Sequence, residues 1–121
     1  AETLRDQYVS LAKVGDALFD LGALDEARRT FTASLDLARR FPQLLGETPQ
    51  GLRDLAFVQE RLGEVEAKMG ASAEAGRRMR EALDIVCALG ERFPERPDYA
   101  STRERLRLRI AELGTAPKPP E

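Results

Sequence analysis

The sequence predicts an all-α protein built from antiparallel helical hairpins that pack side by side. The first observation is an internal repeat: residues 4–41 and 52–89 align without gaps at an offset of 48, the repeat length, and share 11 identities in 38 positions. The second is that apolar residues recur every three or four positions along each copy, as they do on one face of a helix. The third is that no segment alternates between apolar and polar residues as a half-buried strand would. Each copy is therefore predicted to be a helix, a tight turn and a second helix packed on the first.

The first helix is predicted to begin near Glu2-Thr3 and to end at about Leu21. Its buried stripe is expected at Leu4, Tyr8, Leu11, Gly15, Leu18 and Leu21. A glycine inside a helix costs about 1 kcal/mol relative to alanine, so Gly15 is expected where a second helix approaches closely. Gly22 ends the apolar run and suits a left-handed C-cap.

The second helix is predicted to start after Gly22-Ala23, where Asp25-Glu26 place negative charge at the positive end of the helix dipole. Four residues are expected to face the first helix: Ala27, Phe31, Leu35 and Ala38. The helix is predicted to end at Pro42 or just after it. Residues 43–50 contain glycine and proline and are expected to form a link.

The third and fourth helices are predicted to repeat this hairpin. The third runs from Gly51 or Leu52 to about Met69, with a buried stripe at Leu55, Val58, Leu62, Val65 and Met69. Gly63 and Gly70 take the places of Gly15 and Gly22, at a helix crossing and at a C-cap. The fourth helix is expected to start near an N-cap at Ser72 and to close at Phe93-Pro94.

A fifth helix, capped by Asp98 or Ser101, is predicted to end near Leu113. Leu106, Ile110 and Leu113 share one side, so the helix is expected to cover the last apolar face of the stack, with its arginines solvated. A nucleic-acid-binding helix is the alternative, but Glu104 and Glu112 interrupt the positive charge and no aromatic residue offers a stacking surface. The predicted domain is 1–114, with repeats at about 4–42 and 52–94 and a capping helix at about 98–114. The proline-rich segment 115–121 is expected to be a tail or linker.

Composition excludes several classes of function. The chain has 121 residues and a net charge of −2, so no global field favours nucleic acid or an anionic membrane. It has no histidine and a single cysteine, Cys87, which excludes an internal disulfide, ordinary zinc sites and a Ser-His or Cys-His nucleophile pair. No phosphate-binding glycine loop is present. No catalytic residue, metal or cofactor is predicted, and the chain is not expected to be an enzyme.

Neither a membrane span nor a signal peptide is predicted. No segment approaches the roughly 20 continuous apolar residues that a span requires, and the N-terminus lacks the charged and apolar regions of a signal peptide. A cytoplasmic location is the default expectation.

The repeated residues resemble a known family. Leu11-x2-Val14-Gly15-x2-Leu18, followed by Gly22, Ala27-x3-Phe31 and Pro42, is similar to the tetratricopeptide repeat (TPR) pattern. The second copy matches at Leu62-Gly63, Gly70, Ala75-x3-Met79 and Ala82-Leu83, whereas Gln59 and Glu66 stand where aromatic residues are usual. The resemblance covers about residues 4–94, and Arg103-Glu104 with Leu113-Gly114 suggests a third start. The repeat is longer than the usual TPR unit and looks like a lengthened variant, similar to arrays in multidomain bacterial signalling proteins.

The resemblance implies a right-handed stack of hairpins, a TPR-like α-solenoid, in which the first helix of every repeat lines a concave face that binds a peptide or helix of a partner. By helical geometry, the residues of these first helices that point away from the buried stripes, and are therefore predicted to line the groove, are Val9, Ala12, Lys13, Asp16, Phe19, Asp20, Phe57, Glu60, Arg61, Glu64 and Lys68. Some members of the family hold a chaperone's C-terminal carboxylate with lysine, asparagine and arginine. Ala12 and Asp16 stand where that lysine and asparagine would be, so no such clamp is expected here.

The expected function is protein binding, as a docking or regulatory part of a larger protein or complex. The carboxylates Asp16, Asp20, Glu60 and Glu64 favour a partner peptide with Lys or Arg next to an apolar residue. Phe19 and Phe57 fall outside the buried stripes and are expected to contact either the partner or a neighbouring repeat. The alternative is self-association as a homo-oligomer or scaffold, because two repeats and one helix fall short of the three or so that a solenoid needs. An enzymatic helical domain would have to work without histidine.

Overall fold

The computed structural model describes residues 3–114, and the regular elements in that range are all α-helices. They are α1 (Leu4–Asp20), α2 (Leu24–Leu45), α3 (Pro49–Lys68), α4 (Ser72–Arg92) and α5 (Pro97–Gly114). No strand occurs between residues 3 and 114, which confirms the predicted all-α class. The segment 115–121, predicted to be a tail or linker, lies outside the described residues.

The turns after α1 and α3 have the same geometry and lie one repeat apart. Gly22 and Gly70 have φ angles of +78° and +84°, the left-handed conformation predicted for both. In the first turn the Gly22 N–H donates to the Phe19 carbonyl, and the Ala23 N–H donates to the Leu18 carbonyl. Gly70 makes the equivalent bond to Ala67. These paired bonds satisfy carbonyls that would otherwise be left open at the helix ends.

The link between the hairpins is shorter than the predicted 43–50. Helix α2 continues past Pro42 to Leu45. The proline donates no backbone hydrogen bond, but its carbonyl accepts from the Gly46 N–H at 3.0 Å and so closes the last turn. Helix α3 starts early, at Pro49, where the missing proline N–H costs nothing. The Thr48 side chain caps it by accepting from the Gly51 N–H at 3.0 Å.

The predicted N-caps of α4 and α5 are wrong. Helix α4 has Ala71 as its N-cap residue with no side-chain cap, so Ser72 is its first helical residue. Helix α5 begins at Pro97, which places Asp98 in the first turn and Ser101 further inside the helix. A proline suits the first helical position because its fixed φ is already that of a helix.

Contacts within each hairpin run in opposite order along the two helices, as antiparallel packing requires. A Cβ at Gly15 would lie 2.8 Å from ring carbons of Phe31, and nearer the start of α1 the Ser34 hydroxyl donates to the Tyr8 carbonyl at 2.7 Å. A Cβ at Gly63 would lie 3.0 Å from Met79 Cγ. The close helix crossings predicted at Gly15 and Gly63 are therefore confirmed.

One apolar cluster joins the two hairpins, and another joins the second hairpin to α5. One combines buried residues of α1, α2 and α3, and the other combines residues of α3, α4 and α5. Leu106 and Leu113 of α5 belong to the second cluster, so α5 does cover apolar surface of α3 and α4. The prediction that Leu21 is buried is wrong. Leu21 follows the last helical residue of α1 and is 81% exposed.

Two polar residues of α3, Gln59 and Glu66, are buried. Glu66 is fully buried and accepts from Arg28 of α2 at 3.3 Å and from Arg78 of α4 at 3.2 Å. Gln59 is also buried, and its side-chain amide donates to Glu81. Charge-assisted hydrogen bonds to two guanidinium groups let the Glu66 carboxylate occupy a fully buried position.

Candidate clefts along α1, α3 and α5

The first cleft lies between α1 and α3 and has a volume of about 320 Å³. Five of the groove residues predicted from the sequence line it: Val9, Ala12, Lys13, Asp16 and Phe57. Ala12 is also part of the cluster that joins α1 to α3, so it forms the floor of the cleft. The Phe57 side chain is partly exposed, with 46% of the residue accessible to solvent.

The second cleft lies between α3 and α5 and has a volume of about 520 Å³. The predicted residues Phe57, Glu60, Arg61 and Glu64 line its α3 side. Its α5 side consists of Arg105, Leu108, Arg109 and Glu112, none of which the sequence placed in the groove. A third cleft, nearer the start of α5, is bordered by Phe57 and Tyr99.

Three predicted groove residues line neither of the first two clefts. Phe19 is partly buried against the cluster of α1, α2 and α3, with the Arg61 guanidinium carbon 5.3 Å from its ring centroid. Phe19 therefore contacts a neighbouring helix, which is one of the two contacts expected of it. Asp20 and Lys68 are exposed at the ends of α1 and α3.

Ion pairs between successive odd-numbered helices follow the repeat. Arg61 of α3 donates to Asp16 of α1 at 2.7 Å, and Arg109 of α5 donates to Glu64 of α3 at 2.8 Å. Adding 48 to residue numbers 16 and 61 gives 64 and 109, so the second pair is the counterpart of the first. At this pair, α5 contacts α3 through the residues that correspond to those through which α3 contacts α1. Exposed pairs of this kind each contribute under about 1 kcal/mol to the free energy of unfolding. Their main effect is therefore to fix which residues of neighbouring helices face each other.

Helix α5 also makes a bidentate pair, in which Arg105 donates to both carboxylate oxygens of Glu60 at 3.0 and 2.7 Å. Arg105 is solvated as predicted, with 60% of its side chain exposed, although it is also paired with Glu60. The prediction is wrong only for Arg109, whose side chain is 33% exposed. The sequence did carry a signal for this, because Arg109 is the counterpart of Arg61 one repeat further along the chain.

A part-buried polar network lines the α1–α3 cleft. The Tyr8 hydroxyl donates to Asp54 at 2.7 Å, and Arg5 donates to the same carboxylate at 2.9 Å. Burial of the phenol, and then its hydrogen bond to Asp54, raise the pKa of Tyr8 well above its ordinary value. The guanidinium pKa of Arg5 is raised by its bond to Asp54.

Replacing Tyr8 by phenylalanine is expected to lower the free energy of unfolding by about 1–2 kcal/mol, because the part-buried Asp54 carboxylate loses a donor. The loss should shrink above about pH 10. Unfolded tyrosine releases its proton at about pH 10 whereas folded Tyr8 retains it, so the parent chain loses stability as pH rises further. Urea unfolding of both proteins from neutral to alkaline pH measures this, and parallel stability curves in the alkaline range would contradict it.

Among residues 3–114, no group of three or more His, Cys, Asp or Glu side chains is placed to hold a metal ion. In the same range, no helix is both long and apolar enough to cross a membrane.

Comparison of the chain with models of protein families, with curated proteins and with solved structures found no match. The resemblance to tetratricopeptide repeats therefore remains a prediction.

Proposed function

We propose that the chain is a TPR-like repeat module, stacked in the right-handed sense, that binds a segment of a partner polypeptide along α1, α3 and α5. The proposed role is docking or regulation within a larger protein or complex, and it involves no chemical reaction. Support comes from the ion pairs that recur one repeat apart, because they relate α1 to α3 and α3 to α5 in the same way. Helices related in this way present equivalent residues to one continuous surface.

The observation that carries the proposal is the exposure of Phe57. This residue is 46% exposed and borders all three of the clefts described above. A large aromatic side chain at the centre of a concave surface is typical of the residues that dominate binding energy at protein interfaces. We therefore assign Phe57 as the anchor for an apolar side chain of the partner.

Charge is expected to contribute less than this apolar contact. Each of the first two clefts is lined by as many acidic as basic residues, and Asp16, Glu60 and Glu64 already pair with arginines. Asp20 is exposed at the end of α1, outside the first two clefts, and is the predicted acidic groove residue left for a Lys or Arg of the partner. A basic partner residue is thus part of the proposal, with a modest effect.

Selection of a library of random linear peptides on the immobilised chain provides the ligand for a test. Enriched peptides should share an apolar residue, and Phe57→Ala should weaken their binding about tenfold or more, because a truncated anchor costs over about 1.4 kcal/mol. Leu44→Ala is the matched control, since Leu44 is 71% exposed and lines none of these clefts. Fluorescence anisotropy of a labelled peptide measures its affinity for the parent chain and for both variants. Equal affinity of the parent and Phe57→Ala would contradict the proposal.

The basic residue is tested separately. Exchanging Lys or Arg for Glu in the selected peptides should weaken binding by about two- to fivefold, as expected for an exposed charge pair. An equal or tighter affinity of the acidic peptides would remove the basic residue from the proposal and leave the Phe57 contact intact.

A further inference from the structure

A stripe of α1, outside the three clefts that Phe57 borders, is exposed although its counterparts in the other odd-numbered helices are covered. We define the α1 stripe as Ser10, Val14 and Ala17 of α1 together with its C-cap residue Leu21, which follow one another at the helical spacings of four, three and four. Val14 is 52% exposed and Leu21 is 81% exposed. Ser10 and Ala17 are exposed as well.

The equivalent positions one repeat further on are covered. Val58, Leu62 and Val65 of α3 are at most 2% exposed, and Met69 packs against the same cluster. In α5, two repeats beyond the α1 stripe, Leu106 and Leu113 are buried and Ile110 packs beside them. The same helical face is therefore covered in α3 and α5 and exposed in α1.

The chain itself shows what covers this face. The stripe of α3 shares its cluster with Ala27, Phe31 and Leu35 of α2, which belong to the preceding hairpin. The stripe of α5 shares its cluster with Ala75 and Met79 of α4, and Leu83 packs against it. These two sets are one repeat apart, so both cases use one Ala-x3-large-x3-Leu surface on the second helix of a hairpin.

The surroundings of the α1 stripe also suit burial. A shallow cleft of about 360 Å³ beside it is lined by Gln7, Ser10, Leu11, Val14 and Leu37, with no charged side chain. Burying an unpaired charge would be costly, and this face would require none to be buried.

We propose that the α1 stripe is a docking surface for a further helical hairpin of the same repeat type, presenting an Ala-x3-large-x3-Leu stripe. A second copy of this chain fits less well, because both of its own stripes of that kind are already covered by α3 and α5. This docking surface is independent of the peptide clefts, so either proposal can fail without the other.

An extended chain tests the inference, with a copy of residues 4–51 placed directly ahead of Leu4. This arrangement keeps the register of the repeat and the native link at Gly46 to Thr48. The parent and the extended chain both carry Cys87→Ala and Val14→Cys. In the extended chain, Val14→Cys is made in the original segment and not in the added copy. Maleimide should label the thiol at position 14 about tenfold or more slowly in the extended chain, because a docked hairpin exposes it only on opening. Leu44→Cys is the control, since its counterpart Arg92 is exposed, and its labelling rate should not change.

Equal labelling rates at position 14 in the two chains would overturn the inference. In the parent chain the rate at position 14 should not depend on protein concentration. A rate that falls as concentration rises would assign the stripe to a second copy of the chain and would also overturn the inference.

Discussion

Replacing Gly15 by valine is expected to lower the free energy of unfolding by about 2–3 kcal/mol, because the helix crossing has no room for a side chain. A Cβ at this position would lie 2.8 Å from Cε1 and Cζ of Phe31. The Phe31 ring is fully buried within the cluster of α1, α2 and α3, so it cannot turn away into solvent. Urea unfolding followed by circular dichroism gives the measurement.

Two further changes separate crowding from a general effect of losing glycine. Gly90→Ala lies inside α4, where a Cβ would meet only Tyr99 Cβ at 3.8 Å, and it should stabilise the chain by up to about 1 kcal/mol. The penalty of Gly15→Ala should largely disappear in a Phe31→Leu background, because leucine vacates the space that the added methyl needs. Additive effects of Gly15→Ala and Phe31→Leu would show that the two residues are not in contact.

Replacing Glu66 by alanine is expected to cost about 3 kcal/mol, because the change leaves a cavity and removes the partner of two guanidinium groups. Glu66 is fully buried, while the Arg28 and Arg78 side chains are 42% and 22% exposed. The arginines can still reach water, which places the cost near the lower end for a broken buried ion pair. Urea unfolding at neutral pH measures the loss.

Glu66→Leu distinguishes packing from charge. Leucine restores the lost volume, so this variant should lose less stability than Glu66→Ala. Glu91→Ala is the control at an exposed position of α4 and should change the free energy of unfolding by under about 0.5 kcal/mol. If Glu66→Ala were no more destabilising than Glu91→Ala, the carboxylate would not hold the two hairpins together.

Local chemistry made much of the fold predictable. Gly22 and Gly70 end helices because a left-handed φ is nearly free for glycine, and this requirement can be identified in the sequence. Gly15 and Gly63 marked the helix crossings because a glycine inside a helix needs a compensating contact. The predicted limits of the helices were less accurate where prolines lie. A proline is compatible with both the last and the first turn of a helix, and the surrounding contacts decide which one forms.

The polar interior was not predictable from local pattern. Glu66 falls on the helical face where an apolar residue is expected, and its partners Arg28 and Arg78 come from two other helices. Only the assembled fold brings those three side chains together, so spacing along the chain could not indicate that the carboxylate would be buried and paired.

The candidate groove was partly predictable, because the spacing of residues on a helix shows which of them point away from its buried stripe. Helical geometry alone places Val9, Lys13 and Phe57 away from the intra-hairpin contacts, and all three line the α1–α3 cleft. The contribution of α5 was missed because this helix was treated as a cap. Its relation to α3 through the repeat, which Arg109 and Arg61 share, was present in the sequence but outside the aligned copies.

Mapping a selected peptide on the chain by amide chemical shifts is the most direct measurement of the central claim, that successive odd-numbered helices form one groove for a polypeptide. The predicted result is a continuous footprint with its largest shifts near Phe57, extending to Val9 of α1 and Leu108 of α5. A footprint confined to α2 and α4, or shifts that persist unchanged in Phe57→Ala, would contradict it.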